Sequence, residues 1–477
     1  MPQQLNVTDV TIQKLDIFAS SGLYDLRPHF LELNIYENIF RPALTATLVL
    51  GDSYNIPYKL PIVGEETIDM NIYLPGFEGQ DNEELLHIVP PRFHVNSLSD
   101  RYFTKPKAHV FSLDLISEQY FSSLHAKVSK SYSGKPISFI VDDIFFKYMN
   151  DSGRGMTFID SEKNENIVIP NLSPINAIKW LSKRAVRSNA ANYLFYETMN
   201  QSYFLTLDFL AEQEPTTTFV HRSRVDDAAG VGHLASNIMK IDKFYFKRQF
   251  DIKENIEDGI YSSKLITHDI VRKKITQHEY TGFEENEWSG FNHCGAFRPL
   301  SNSVIDLPSA KINRVSHAPA SKDNAYPTTN EPNLARQIDS NVVFYPKHNQ
   351  LYSKNTGDLY DNNVENWKLQ RNAHIGIYNG VTLVLDVSGN SALRVGQTVN
   401  VILPSPESTD ADGSTDNVTD KFLSGKYMVT AIRHIFSRPT SKDPKITYTM
   451  KVEVTKDGFE EPVPLITKEN NEREEGN

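Results

Sequence analysis

Five short words occur twice in this chain, in the same order. Near the N-terminus they read Leu48-Val49-Leu50, Ile62-Val63-Gly64-Glu65, Ile72-Tyr73-Leu74-Pro75, Phe93-His94-Val95 and Phe111-Ser112-Leu113-Asp114-Leu115. Near the C-terminus they read Leu383-Val384-Leu385, Arg394-Val395-Gly396-Gln397, Val401-Ile402-Leu403-Pro404, Tyr427-Met428-Val429 and Tyr448-Thr449-Met450-Lys451-Val452. One such match arises easily by chance. Five in one order, with similar spacings, predict a duplicated domain. The words are also strand-like. Leu44, Ala46, Leu48 and Leu50 alternate with Thr45, Thr47 and Val49, and Phe111, Leu113 and Leu115 with Ser112 and Asp114. A period of two puts one face on a core. Turns are marked at Gly51-Asp52, Pro61, Gly64, Pro75-Gly76 and Pro90-Pro91.

Between the copies the pattern changes. Pro136 suits a first helical turn with Ser133 near enough to cap it, and Ile137, Ile140, Val141, Ile144, Phe145 and Tyr148 then form one apolar stripe. Ser173-Pro174 repeats the device before Ile175, Ile178, Leu181 and Ala185. The expected fold is mainly β with an α/β segment: two similar antiparallel β-barrel-like domains flanking a mixed α/β domain. The expected boundaries are 1–125 for the first β domain, 126–230 for the α/β domain, and 231–280 plus 370–460 for the second β domain. An Asn-rich insertion fills 281–369 and an acidic tail 461–477.

Composition narrows the functional classes. The chain of 477 residues carries 49 Lys plus Arg against 60 Asp plus Glu, a net charge of −11, which disfavours broad coating of nucleic acid. A single cysteine, Cys294, excludes an intrachain disulfide and a multi-cysteine zinc site. The start at Met1-Pro2-Gln3-Gln4 carries no expected signal peptide, and no apolar run is long enough for a membrane helix.

The candidate chemistry is sparse. His233, His268, His278, His293 and Cys294 match no metal-ligand spacing. Asp410, Asp412 and Asp416 around Gly413 lack the remainder of a calcium loop. Gly389-Asn390-Ser391-Ala392 begins like a nucleophile elbow, but Leu393 replaces the second glycine. Gly153-Arg154-Gly155 lacks a third glycine for a nucleotide loop. Glu65-Glu66 and Glu284-Glu285 are neighbours that a strand would point to opposite faces. Asn417-Val418-Thr419 is a glycosylation triplet without a secretory context. Lys240, Lys243, Lys247 and Arg248 surround Phe244, Tyr245 and Phe246, which strand alternation explains as packed aromatics and solvated bases. No catalytic, cofactor-binding or metal residue is assigned, and no cofactor is expected.

Several longer stretches resemble the central baseplate hub protein of contractile-tailed bacteriophages, a tail hub family related in fold to type VI secretion spike hubs. They are Asn34 to Leu50, Leu60 to Glu66, Gly259 to Asp269, Leu393 to Val399 and Leu423 to Ile432. The resemblance covers most of 1–280 and 370–460 and omits the insertion and the tail. It implies a structural virion protein: a homotrimeric hub matching a threefold spike to a sixfold tail tube. Implied partners are a tail spike below, a tube initiator or tube proteins above, baseplate wedge proteins and a tape measure protein. DNA would pass through the lumen without specific binding, and no membrane insertion is implied. The place implied is the phage tail baseplate, assembled in the host cytoplasm. Three chains with two equivalent domains each give six near-equivalent positions, so the duplication and the resemblance converge. The alternatives are a type VI spike hub, a receptor-binding tail protein and a cell-wall-degrading tail enzyme, the last needing a carboxylate pair in a cleft.

Overall fold

The computed structural model describes residues 8–75, 86–105, 108–150, 153–162, 164–188, 190–221, 239–249, 251–260, 262–270, 272–281, 291–296, 341–347, 364–378, 380–405, 419–438 and 445–461. His233, Glu284, Glu285, Asp410, Asp412, Gly413, Asp416, Asn417, Val418 and all but the first residue of the acidic tail lie outside them. The chain forms two compact units. The first comprises Met1–Lys247, Thr382–Ile402 and Tyr427–Thr455, and the second Arg248–Val381, Leu403–Lys426 and Lys456–Asn477.

The first unit is built on one large sheet. Its strands are β1 (Asp9–Ala19), β2 (Gly22–Asp25), β3 (Phe30–Asn38), β4 (Thr45–Asp52), β5 (Thr67–Tyr73), β6 (His87–Ile88), β7 (Phe93–Lys105) and β8 (Ala108–Ser117). β14 (Thr218–His221), β15 (Lys240–Gln249), β19 (Val381–Ser388), β20 (Thr398–Ile402), β21 (Gly425–Ser437) and β22 (Ile446–Lys456) complete it. The ladder runs β2-β1-β22-β19-β15-β14-β20-β21-β3-β4-β8-β7-β5-β6, with β1 also pairing β5 and β22 also pairing β21. Those two extra pairings close the sheet twice. One circuit is β14-β15-β19-β22-β21-β20, and the other passes through β1, β5, β7, β8, β4 and β3 and is completed by β21 and β22. Closure pairs edges that would otherwise be free.

The duplication is visible in the connectivity. In the first copy the neighbours run β3-β4-β8-β7-β5; in the second, β15-β19-β22-β21-β20. Both hairpins bulge at the same step. The pair Val95↔Leu115 is followed by Ser97↔Asp114, and Val429↔Val454 by Ala431↔Glu453. A bulge inserts one residue and re-aims the strand, so a shared bulge marks shared geometry. It also corrects one word of the repeat. Leu115 corresponds to Val454, not Val452, because sliding a strand by two residues keeps every side chain on its face. The repeat does not extend to the outer strands, since β1 runs antiparallel to β5 but β14 runs parallel to β20.

The segment between the copies holds β9 (Val128–Pro136), β11 (Asn164–Leu172), β10 (Met156–Phe158), β12 (Tyr193–Glu197) and β13 (Ser202–Thr206), with α3 (Ile137–Tyr148) and α4 (Pro174–Ser182). β9 pairs β11, and β10-β13-β12 form a small sheet. Ile137, Ile140, Val141, Ile144 and Phe145 are buried against Ile175, Ile178 and Leu181, the predicted stripes. The cap differs from expectation: α3 starts after Pro136 without a side-chain cap. Ser133 instead donates to Asn166 Oδ1 at 2.9 Å, across the β9–β11 pair.

The second unit contains a separate sheet in which β16 (Ser262–Asp269) pairs antiparallel with β17 (Lys274–Thr281) and parallel with β18 (Val342–Lys347). The expected boundaries put 231–280 wholly in the second β domain. Within that span β15 joins the large sheet while β16 and β17 do not, and β18 lies inside the expected insertion. Strand alternation alone does not say which sheet a strand joins.

Gly396 lies on a positive φ of 86°. A Cβ there would stand 2.5 Å from the Tyr196 hydroxyl. Gly134 also has positive φ but open space around it. Gly396→Ala is therefore expected to lower unfolding free energy by about 3 kcal/mol, against about 1 kcal/mol for Gly134→Ala. Urea titration followed by circular dichroism measures the difference, and equal losses would contradict it.

Candidate functional site: the junction of the repeats and the α/β segment

The joint described first lies wholly in the first unit. The tight turn from β12 to β13 carries Thr198, Met199 and Asn200. Thr198 Oγ1 accepts the amides of Asn200 and Gln201 at 3.2 and 3.3 Å, fixing the turn. Two buried carboxylates grip its flanks. Glu37 of β3 accepts the Met199 amide at 2.8 Å and the Val395 amide. Glu197 of β12 accepts the Leu44 amide at 3.0 Å and the Ser117 hydroxyl at 2.5 Å. Gln119 and Ser202 add a buried bond of 2.9 Å.

Two arginines complete the joint. Arg154 donates to the carbonyls of Asn200, at 3.1 Å, and Met199. Arg394 donates to Asn200 Oδ1 at 3.3 Å and to the carbonyls of Leu393, at 2.9 Å, and Ser391. Residues of the first copy, the α/β segment and the second copy therefore meet around one turn. Burial raises the Glu37 pKa against the opposing pull of Arg394 and the Met199 and Val395 amides. Burial raises Glu197 to about 7, opposed by the Leu44 amide, Ser117 and Arg154 and aided by Glu37. Burial likewise lowers the Arg154 pKa. These carboxylates hold backbone donors rather than face solvent, an arrangement suited to fixing domains and not to proton transfer with a substrate.

Beside the joint opens a polar cleft of about 1250 Å³ whose lining includes Lys14, Asp69, His87, Arg92, Arg154 and Arg394. Asp69 there is bridged by Lys14 at 3.1 Å and Arg92 at 2.8 Å. Burial pushes its carboxyl up, and the bonds from Arg92 and Lys14 bring it below the usual range.

A second junction is made by β21. Its distal half, Ala431–Ser437, pairs antiparallel with Asn38–Glu32 of β3, while the facing strand β22 pairs Thr447 and Ile446 with Asp9 and Val10 of β1. The β21–β22 hairpin thus acts as an arm of the second copy that completes the first. Arg433 fastens the outer face, donating to Asn34 at 2.9 Å and standing over the Tyr36 ring. On the inner face Phe436 stacks on Tyr448 with centroids 4.5 Å apart. His434 is fully buried at 2.8 Å from the Tyr448 hydroxyl, and burial lowers its pKa to about 3, keeping it neutral.

The residues singled out from sequence scatter. Arg154 enters the joint, although its Gly153-Arg154-Gly155 setting suggested only a failed nucleotide loop. Gly389 lies against the Tyr448 ring, with no room for a Cβ. Asn390 Oδ1 accepts the Ala392 amide at 2.9 Å and Ser391 is buried. Glu66 is buried and caps the Val63 and Gly64 amides, both at 2.9 Å, while Glu65 is exposed. On β15, Ile241 is buried and Phe244 and Phe246 are half-buried, but Tyr245 faces solvent with Lys243 and Lys247, correcting the expectation that all three aromatics pack. In the second unit His268 opposes Ile275 and His278 opposes Leu265, so the two do not meet. There His293 lies 2.5 Å from Asp457, whose other oxygen accepts the amide of buried Cys294 at 2.8 Å. Among the described residues no cluster of His, Cys, Asp or Glu fits a metal ion, and no helix is long and apolar enough to cross a membrane.

Sequence reading missed Glu37 and Glu197. Each left a signal: Glu37 follows Leu33 and Ile35 on the buried face of β3, and Glu197 ends a strand buried on both faces. A charge at a core position of a strand is costly unless partnered.

No protein-family profile and no curated protein sequence matches the chain. Among solved structures it is similar to a tail protein from Neisseria meningitidis MC58, with 12% identity, 94% of this chain and 97% of that one covered, and a TM-score of 0.49. It is similar to the 43 kDa tail protein of prophage MuSo2 from Shewanella oneidensis, with 9% identity, 93% and 98% covered, and a TM-score of 0.48. A type VI secretion component from E. coli is similar at 9% identity, with 96% and 81% covered and a TM-score of 0.39.

The raised Glu197 pKa fixes a pH dependence. A carboxyl whose folded value lies above its ordinary 4.5 contributes stability that is present below pH 4.5 and lost as pH rises through about 7. The stability of the native chain relative to Glu197→Gln is expected to fall by on the order of 3 kcal/mol across that window. Parallel denaturant titrations at pH 4.5, 6 and 7.5 read it; a constant difference would refute the buried titration.

Proposed function

We propose that this chain is a structural protein of a phage tail baseplate, a homotrimeric central hub matching a threefold spike to a sixfold tube. The observation that carries the reading is the duplicated five-strand unit, with one ladder order and one bulge position in both copies. A chain with two equivalent β domains supplies six near-equivalent positions when three copies close a ring. The buried joint supports the same role, because an adapter between assemblies needs its domains fixed: Glu37, Glu197 and Arg154 fix them through backbone partners and Arg394 through the Asn200 side chain. The proposed neighbours are a spike on one side, tube proteins and a tape measure protein on the other, and wedge proteins around the rim. DNA would traverse the ring without specific contact, consistent with a net charge of −11.

Light scattering behind a sizing column is the test. The purified chain, alone or mixed with its spike, is expected at the mass of three copies. A single-copy mass under both conditions would overturn the reading.

A further inference from the structure

The two copies differ in their arms: the arm of the second is inserted and that of the first is not, and the first alone shifts register again between Ser99 and Tyr102 and between Phe103 and Lys105. Along one edge β21 serves two partners in succession, β20 near its start and β3 over Ala431–Ser437. Its counterpart β7 pairs on that same edge with β5 only at Phe93 and His94. From Ser97 to Lys105 that edge has no strand partner among the described residues. The counterpart of β3 is equally incomplete. β15 pairs β19 on one side, and on the other it meets β14 only at Lys240 and Ile241. Asp242–Lys247 then present an open edge among the described residues.

Side chains repeat the asymmetry. Counting along β8 and β22 from the shared bulge, His109 corresponds to Tyr448, so its partner Phe103 takes the place of Phe436, the second bulge in β7 absorbing one residue. Both pairs are in ring contact, at 5.7 and 4.5 Å. Phe436 is 0% exposed because its arm is inserted, whereas Phe103 is 73% exposed and its neighbour Tyr102 55%. On the matching open strand Tyr245 is 54% exposed. Long free edges with exposed aromatics are aggregation-prone in a monomer and serve to template a partner strand.

We infer that the distal arm of β7 and β8 inserts into the second barrel of another copy of this chain, pairing Ser97–Lys105 antiparallel with Asp242–Lys247. The junction between copies then reproduces the junction within each chain between β21 and β3. Because donor and acceptor edges lie on different barrels, the contact is heterologous, and it closes a ring when the rotation permits. Three internal and three external junctions alternate around a trimer. This deepens the hub reading and rests on it, while naming the strands that close the ring.

Amide hydrogen exchange on the full chain, at concentrations on either side of assembly, is the experiment. Amides of 97–105 and 242–247 are expected to slow on assembly. Phe103→Asp, at an exposed position, is expected to raise the trimer dissociation constant about 30-fold or more. Phe139→Asp, another exposed phenylalanine on α3, is expected to leave it unchanged. A trimer whose 97–105 and 242–247 amides exchange as fast as in the monomer overturns the pairing and leaves the hub reading standing. So does a Phe103→Asp variant that assembles like the native chain. A chain monomeric at every concentration overturns both.

Discussion

Backbone hydrogen bonding along one edge of β21 is the constraint on which the first unit depends. That strand is long enough to hold β20 with its first half and β3 with its second. The bulge after Val429 separates the two halves and turns the strand between them. Without this bridge the first copy's sheet would end in a free edge at β3, a row of unpaired donors and acceptors. The second copy thereby finishes the first, and the two copies share one continuous ladder instead of forming independent barrels.

The polar joint adds orientation to that connectivity. Sheet pairing alone leaves the α/β segment tethered at its ends. Glu37 and Glu197, each accepting backbone amides from a different part of the chain, convert the β12–β13 turn into a keyed contact. Gly396 contributes by absence, since only a residue without Cβ lets Tyr196 approach. Buried carboxylates of this kind are costly to desolvate, so their value lies in specifying one arrangement rather than in net stabilisation.

Much of this was legible in the residues. Alternation in β4 and β8 marked strands, the stripes beginning at Ile137 and Ile175 marked helices, and the five repeated words marked the duplication. Glu37 could have been flagged as a charge on an apolar strand face. Arg154 could not, because its partners Met199 and Asn200 are more than forty residues away and are reached only through the fold. The last repeated word was aligned two residues off, since a period of two carries no absolute register.

The sequence by itself determined that two like β domains exist, where the helical interruption falls, and which faces are apolar, because periodicity and turn chemistry are local properties. Only the tertiary structure decided which edges pair: that β16 and β17 leave the large sheet, that the β21–β22 arm is inserted, and that the β7–β8 arm is not. Edge pairing is a contest between distant backbones carrying identical donors and acceptors. Its outcome depends on where bulges and closures place them in space, which no single stretch of residues encodes.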